Sequence, residues 1–442
     1  MRSRVLTFLL STTTLALFLP TLTGQASAAD SGATVYVGAT VGNNTGCDSP
    51  GATSVEAAVQ AVPSGGTVYL CGTVPYQETV MVSGKNLTLT GDPGATLEAP
   101  ATTAADLAPG TFFSDQGLQT PYSVLTIVGN SNVQVNGLTI EGPFANSGCG
   151  GQDYGVLVLG GQVQLRNDHV ANIGASDQSG LGGCQYGVAI EVGSEFWNNT
   201  DQTSTVTPNF VATAQIQDTS VSGYQKNGIT VDGPGSAAQI WSNTIDGGGV
   251  NPTIGRNGVQ ISDGATAQIF GNSINNNEYT GTDYDGSSTG VLVFGGCQDY
   301  GYGPLVTNVQ VHNNTFANDD VAVDLFNADP TCSVSPTTPT NNLVFNNTIS
   351  KNDGVTDEAY TPAGSGSAFA GDVFNGYQVG VADTGSGDVI HNNVISSSDG
   401  AYGPSMTPNG PYLAPIDIQL VPPINVIVHN NTYNGARTNP PY

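Results

Sequence analysis

One short unit recurs nine times along this chain: an apolar run, a corner carrying Asn, Asp or Gly, and a second apolar run. It reads VQVNGLTI at 133–140, VQLRNDHV at 163–170, AQIQDTSV at 214–221, AQIWSNTI at 238–245 and AQIFGNSI at 267–274. It continues as VQVHNNTF at 309–316, LVFNNTI at 343–349, VIHNNVI at 389–395 and VIVHNNTY at 426–433. The tightest copies begin 24 and 29 residues apart. That spacing fits one coil of a solenoid, in which no unit buries its apolar face alone and stacked neighbours do so together.

A second strand unit lies between these copies: YGVLVLGG (154–161), YGVAIEVG (186–193), NGITVDG (227–233), NGVQISDG (257–264), TGVLVFGG (289–296) and DDVAVDLF (319–326). Period-two alternation puts Val156, Ile190, Ile229, Val231, Val259, Ile261 and Val323 on one face, the predicted interior. Asn and Gly suit the corners because they tolerate positive φ and bond their own backbone, and stacked corner Asn can form amide ladders. Near the start, Thr53-x-x-Glu56 forms a capping-box pattern. Val55, Ala58, Val59 and Val62 follow at helical spacing, and Pro63 ends the run. A short helix there would cap the first coil.

Residues 1–28 read as a signal peptide: Arg2 and Arg4, an apolar run to about Leu22, then Gln25-Ala26-Ser27-Ala28 before the cleavage point. Residues 29–442 are expected to form a single β-helix domain in a secreted, extracellular protein. No later segment reaches ~18 consecutive apolar residues, so no membrane span is expected. The chain holds 35 Asp and Glu against 8 Lys and Arg, a net charge of −27. Such a charge argues against nucleic acid and anionic membranes as partners. It also disfavours a polyanionic substrate unless calcium bridges the two. The six cysteines favour disulfides, with Cys47/Cys71, Cys149/Cys184 and Cys297/Cys332 as the sequential choice among 15 connectivities. A zinc site is disfavoured because no C-x-x-C occurs.

The stretch SVEAAVQAVPSGGTVYLCGTV and the tandem GYQKNGITVDG, AAQIWSNTIDGGG and GRNGVQISDGATAQIFGNSI resemble secreted β-helix repeat proteins of the pectate-lyase-like superfamily. The resemblance covers nearly all of residues 34–434 and implies an all-β fold, a right-handed parallel β-helix. It implies an activity only broadly, among polysaccharide lyases, glycoside hydrolases, fructan-processing enzymes and non-catalytic surface or tail proteins. Of the polygalacturonase set of N-T-D, D-D, G-H-G and R-I-K, Asp319-Asp320 gives a D-D look-alike, and neither G-H-G nor R-I-K occurs. No catalytic residue carries over by motif.

Candidate chemistry therefore rests on the outward side of the second strand unit. Alternation turns Glu191, Asp232 and Asp324 outward. Were their coils neighbours, Glu191 and Asp232 would stand ~5 Å apart, since adjacent strands lie about 4.8 Å apart. Such a pair suits a retaining glycosidase or a calcium site. Stray acids on a solenoid surface are the plainer alternative. Two residues before the strand glycine stand Asp153, Gln185, Lys226, Arg256, Ser288 and Asn318, so Lys226 and Arg256 are predicted to stack. They would serve a lyase as base and charge neutraliser, or merely balance nearby acids. Tyr186, Tyr224, Phe294 and Trp197 are candidate sugar-stacking rings, though each alone is more often packing. Glu278 with TDYDG (282–286) offers oxygens for calcium, a polar turn being the simpler reading. His312, His391 and His429 read as exposed turn residues.

The chain is thus expected to be a carbohydrate-active enzyme that cleaves an extracellular polysaccharide, as a lyase or a hydrolase. The competing expectation is a non-catalytic extracellular binding or envelope protein. The sequence leaves the substrate, any metal and the oligomeric state open.

Overall fold

The computed structural model describes residues 32–38, 45–101, 112–114, 117–145, 151–175, 183–194, 196–198, 203–205, 210–279, 288–297, 303–352, 377–397, 412–418 and 425–434. The expected signal segment lies outside them. Most of the chain winds through a repeating circuit of three strands. One coil contributes Ala237–Trp241, Thr244–Asn251 and Asn257–Ser262, and the next Thr266–Phe270, Ser273–Tyr279 and Thr289–Gly295. Corresponding strands pair in parallel, so three long sheets form. The first has 12 strands, from Thr34–Val37 to Ile427–His429. The second has 11, from Tyr76–Gln77 to Thr432–Asn434, and the third runs from Val80–Ser83 to Tyr412–Ile418. The protein is a right-handed parallel β-helix.

Register explains why similar residues recur. In the first sheet Ala214, Ala238 and Ala267 align, as do Ile216, Ile240 and Ile269. The predicted interior residues Val156, Ile190, Ile229, Val231, Val259, Ile261 and Val323 are all fully buried in one continuous core.

The corner between the first and second sheets takes two residues. The first adopts positive φ, as at Asn167 (55°), Ser242 (57°), Asn313 (56°), Asn346 (56°) and Asn392 (57°). The second turns inward and builds an amide ladder. Asn243 Nδ2 donates to Asn272 Oδ1, Asn272 to Asn314, Asn314 to Asn347, Asn347 to Asn393 and Asn393 to Asn431, each at 3.0–3.1 Å. The same amides donate to carbonyls one coil back, such as Ile240 and Ile269. A buried amide is tolerable only when its groups are paired, and here the stacking pairs them.

Gly228, Gly258 and Gly290 open the third-sheet strands for a steric reason. A Cβ there would come within 2.5–2.7 Å of the carbonyl oxygen of the next coil.

Helix Val55–Ala61 sits at the N-terminal end and buries Val55, Ala58 and Val59. Its N-cap is Ser54, one residue later than the Thr53 pattern predicts, because Ser54 Oγ accepts from Ala57 N. Glu78 accepts from the Val55 and Glu56 amides, and Lys85 Nζ donates to the carbonyls of Val59, Gln60 and Val62. Both helix ends are thus satisfied by side chains from later coils. Disulfides join Cys47 to Cys71 and Cys297 to Cys332, which is compatible with an oxidising, exported setting. Cys184 is also disulfide-bonded. Its expected partner, Cys149, lies outside the described residues.

The histidines are not the turn residues expected. His312, His391 and His429 end first-sheet strands and share a column with Trp241, Phe270 and Phe345. Neighbouring rings in this column stack with centroids 4.7–5.9 Å apart. A flat ring at this position extends the pleat spacing into a continuous pile.

Asn314→Leu strands the Asn272 amide groups that donate to it and leaves the Ile269 carbonyl without its Asn partner. Each buried polar group left unpaired costs about 1–3 kcal/mol. Denaturant unfolding should show a loss of at least ~2 kcal/mol for this variant. Asn313→Gly, at a positive-φ position, should change stability by only a few tenths of a kcal/mol or so.

Candidate functional site

The outer face of the third sheet carries three vertical columns. The first aligns Tyr154, Val188, Asn227, Asn257, Thr289 and Val321. The second aligns Leu157, Glu191, Thr230, Gln260, Leu292 and Asp324. The third aligns Gly193, Asp232, Ser262, Phe294 and Phe326. Tyr154, Leu157, Leu159 and Val188 form an apolar cluster at one end. Leu292, Phe294 and Phe326 mark the other, with the Phe rings stacked at 5.4 Å. A polar island lies between them.

The island is hydrogen-bonded across coils. Asn227 Nδ2 donates to Thr230 Oγ1 and Gln260 Oε1, both at 3.0 Å. Asn257 Nδ2 donates to Asn227 Oδ1 at 3.0 Å and Gln260 Oε1 at 3.1 Å, and Thr289 Oγ1 donates to Asn257 Oδ1 at 2.7 Å. Gln260 Nε2 donates to Ser262 Oγ, which donates to Asp232 Oδ1 at 2.9 Å.

Glu191 sits at the island's edge, 6% exposed. Burial, and then the negative charge of Asp232, push its carboxyl well above its ordinary 4.5, against a smaller opposing effect from its Thr230 hydrogen bond.

The register corrects the expected pairing. Glu191 aligns with Thr230, and Asp232 aligns with Gly193, so the two acids are diagonal neighbours. One interstrand step of about 4.8 Å and two residues along the strand place their Cα atoms roughly 8 Å apart. Asp324 shares the Glu191 column but stands four steps away, about 19 Å. Its charge bears on Asp383 instead.

Lys226 and Arg256 occupy successive coils, as expected, but their column continues with Gly187, Ser288 and Asp320 in place of Gln185 and Asn318. Lys226 Nζ donates to the Gly255 carbonyl at 2.9 Å, and Arg256 Nη1 donates to the Gly247 carbonyl. Tyr186 and Tyr224 are each 1% exposed and cannot offer a ring face to a sugar. Tyr224 packs in the core and donates to Asn277 Oδ1 at 2.6 Å, while burial lifts the Tyr186 phenol to about 12. The backbone at Trp197 pairs antiparallel with Ser204 in a hairpin; its side chain lies outside what is described. Phe294 is half-buried beside Ser262 and Phe326.

Of the expected calcium ligands, Glu278 alone lies among the described residues. Residues 282–286 lie outside the described residues, and Glu278 pairs with the buried Lys351 at 3.0 Å. Among the described residues no cluster of three or more His, Cys, Asp or Glu is arranged to hold a metal. The Asp319-Asp320 look-alike braces a corner: Asp319 accepts from Asn277, and Asp320 accepts from the Tyr279 and Ser288 amides.

Sequence reasoning missed the amides and hydroxyls that make the island, namely Asn227, Thr230, Asn257, Gln260, Ser262 and Thr289. The recurrent Asn before a strand glycine, in NGITVDG and NGVQISDG, was a usable signal.

No protein-family model and no curated protein matches the sequence. Solved structures similar in fold include PfbA, a surface adhesin of Streptococcus pneumoniae (16% identity, 86% of each chain covered, TM-score 0.46). Another is an alginate lyase from Paenibacillus sp. (13% identity, 90% of this chain and 99% of that one, TM-score 0.36). A third is the Dettilon tailspike protein (12% identity, TM-score 0.40), where the match takes in 80% of this chain and only 58% of the tailspike.

Because folding raises the Glu191 value, its neutral form favours the folded state below about 4.5, and that contribution is lost as pH climbs toward the raised value. Glu191→Gln, neutral at every pH, should match or exceed the parent in melting temperature at pH 8. Its advantage should disappear below about pH 4, as thermal scans at the two pH values would record.

Proposed function

We propose that this protein is a secreted glycoside hydrolase whose acid–base pair is Glu191 and Asp232. The observation that carries the proposal is a buried Glu191, its carboxyl raised above its ordinary value by desolvation and by Asp232, lying diagonally across one coil step from that residue. General acid–base chemistry on a glycosidic bond requires one carboxyl that donates a proton and a second that accepts one.

The proposed route is single displacement with inversion. Inverting enzymes hold their carboxyls about 6.5–9.5 Å apart to admit a water, whereas retaining enzymes use about 5–5.5 Å. Glu191 gives its proton to the glycosidic oxygen as the bond from that oxygen to the anomeric carbon breaks. A water attacks the anomeric carbon from the opposite face and passes a proton to Asp232. The net change is the addition of one water, and solvent returns the proton from Asp232 to Glu191. Ser262 orients Asp232 through its 2.9 Å hydrogen bond. The half-buried Phe294 provides an apolar border on which a sugar ring could rest.

One observation favours the alternative, an extracellular binding or envelope protein. The island's amides and hydroxyls largely satisfy one another, as purely structural ladders do.

The readings divide on activity. Secreted protein incubated with a polysaccharide panel should release reducing ends. Glu191→Gln and Asp232→Asn should each lower that rate by about 10²–10⁴-fold. Lys226→Met, altering a base bound to a backbone carbonyl, should leave it within about threefold. Equal rates in the parent and Glu191→Gln protein would remove the assignment.

A further inference from the structure

We propose that Lys351 and Asp320 join in an intramolecular amide bond, formed by the folded chain itself with Glu278 as proton carrier. The fold brings the three together from successive coils. Glu278 lies in the second-sheet strand Ser273–Tyr279, and Lys351 ends the strand Thr348–Lys351, two places along the same sheet. Asp320 stands just before the third-sheet strand Val321–Asn327, on the coil between them. Lys351 Nζ lies 3.0 Å from Glu278 Oε2 and 3.8 Å from Asp320 Oδ1. The Lys351 side chain is 0% exposed, and those of Glu278 and Asp320 are 4% and 1%.

Each group has the contact that its part requires. Glu278 accepts a hydrogen bond from Lys351 Nζ, so it is placed to draw a proton from the ammonium and free the nitrogen lone pair. Asp320 Oδ2 accepts from the backbone N–H groups of Tyr279 at 2.8 Å and Ser288 at 3.3 Å. Two such donors stabilise the negative charge that gathers on an oxygen during acyl transfer. Oδ1, the oxygen 3.8 Å from Nζ, is the one that departs.

The lysine nitrogen attacks Asp320 Cγ, and the new C–N bond forms as negative charge moves onto Oδ2. Two of the three Nζ protons pass by way of Glu278 to Oδ1, the Cγ–Oδ1 bond breaks, and one water leaves. An ammonium and a carboxylate thereby become a neutral amide, with nothing oxidised or reduced, and Glu278 ends as it began. Burial favours the product, because a buried ion pair carries a desolvation cost that its mutual attraction need not repay. Fixed geometry favours the rate, since well-oriented groups reach effective molarities of about 10⁵–10⁸ M. The amide would tie two successive coils together covalently.

Mass spectrometry of the full secreted protein tests the bond, with the disulfides reduced and the mature N-terminus determined. The expected intact mass falls below the sequence value by one water, and chymotryptic digestion should yield a branched peptide joining Asp320 to Lys351. Glu278→Gln protein, which keeps both partners, should carry the full sequence mass, as should Lys351→Arg. Circular dichroism checks that each variant keeps its β-sheet signal, and the parent mass decides the matter even where a variant fails to fold. A parent at full sequence mass would overturn the proposal and leave a plain buried ion pair. A branch at Glu278 would overturn the choice of Asp320 as acyl donor, and a cross-link that persists in Glu278→Gln protein would remove Glu278 as proton carrier.

Discussion

The parallel hydrogen-bond ladder between successive coils governs the rest of this molecule. It advances each circuit by one interstrand step of about 4.8 Å and places the same structural position of every coil in a vertical column. Whatever residue occupies a position meets its counterpart above and below. An Asn column becomes a chain of amides from Asn243 to Asn431, an aromatic column becomes a pile from Trp241 to His429, and aliphatic columns fuse into one core. Each gains only because the ladder fixes the spacing beforehand.

The ladder also sets the electrostatics. Stacking in a narrow solenoid buries polar positions that an ordinary domain would leave in water. Burial is the leading cause of the raised carboxyls of Asp168 (about 7), Glu191, Asp319, Asp383 and Asp388 (about 6). Hydrogen bonds from neighbouring groups meet these acids, as at Asp168, Asp319 and Asp388. Lys351, the one base found fully buried among the described residues, serves Glu278 and Asp320 at a corner. Glu191 differs from the others in lying on the outer side of the third sheet, diagonal to Asp232.

The polar island owes its chemistry to small offsets in register. Asn227, Asn257 and Thr289 stack because a glycine follows each, letting the strand pass close to the carbonyl of the next coil. On the Glu191 coil, Ala189 occupies that glycine's place, and this alignment carries Glu191 to the level of Thr230. The two acids become diagonal, and the bases one residue before the strand donate to backbone carbonyls.

The sequence by itself determined the solenoid, its interior set from Val156 to Val323, its Asn corners and its helical cap. Each follows from local rules: period-two alternation, the tolerance of Asn and Gly for positive φ, and apolar spacing at 3.6 residues. Only the tertiary structure decided which outward residues meet. Insertions of unequal length separate the coils, so alignment by strand motif displaced Glu191 and Asp324 by two positions. Tyr224 turned inward to Asn277, 53 residues away, and Arg256 bent to Gly247, partners that no local pattern announces. A side chain's facing is fixed by the backbone beside it, but its neighbours are fixed by where the chain returns.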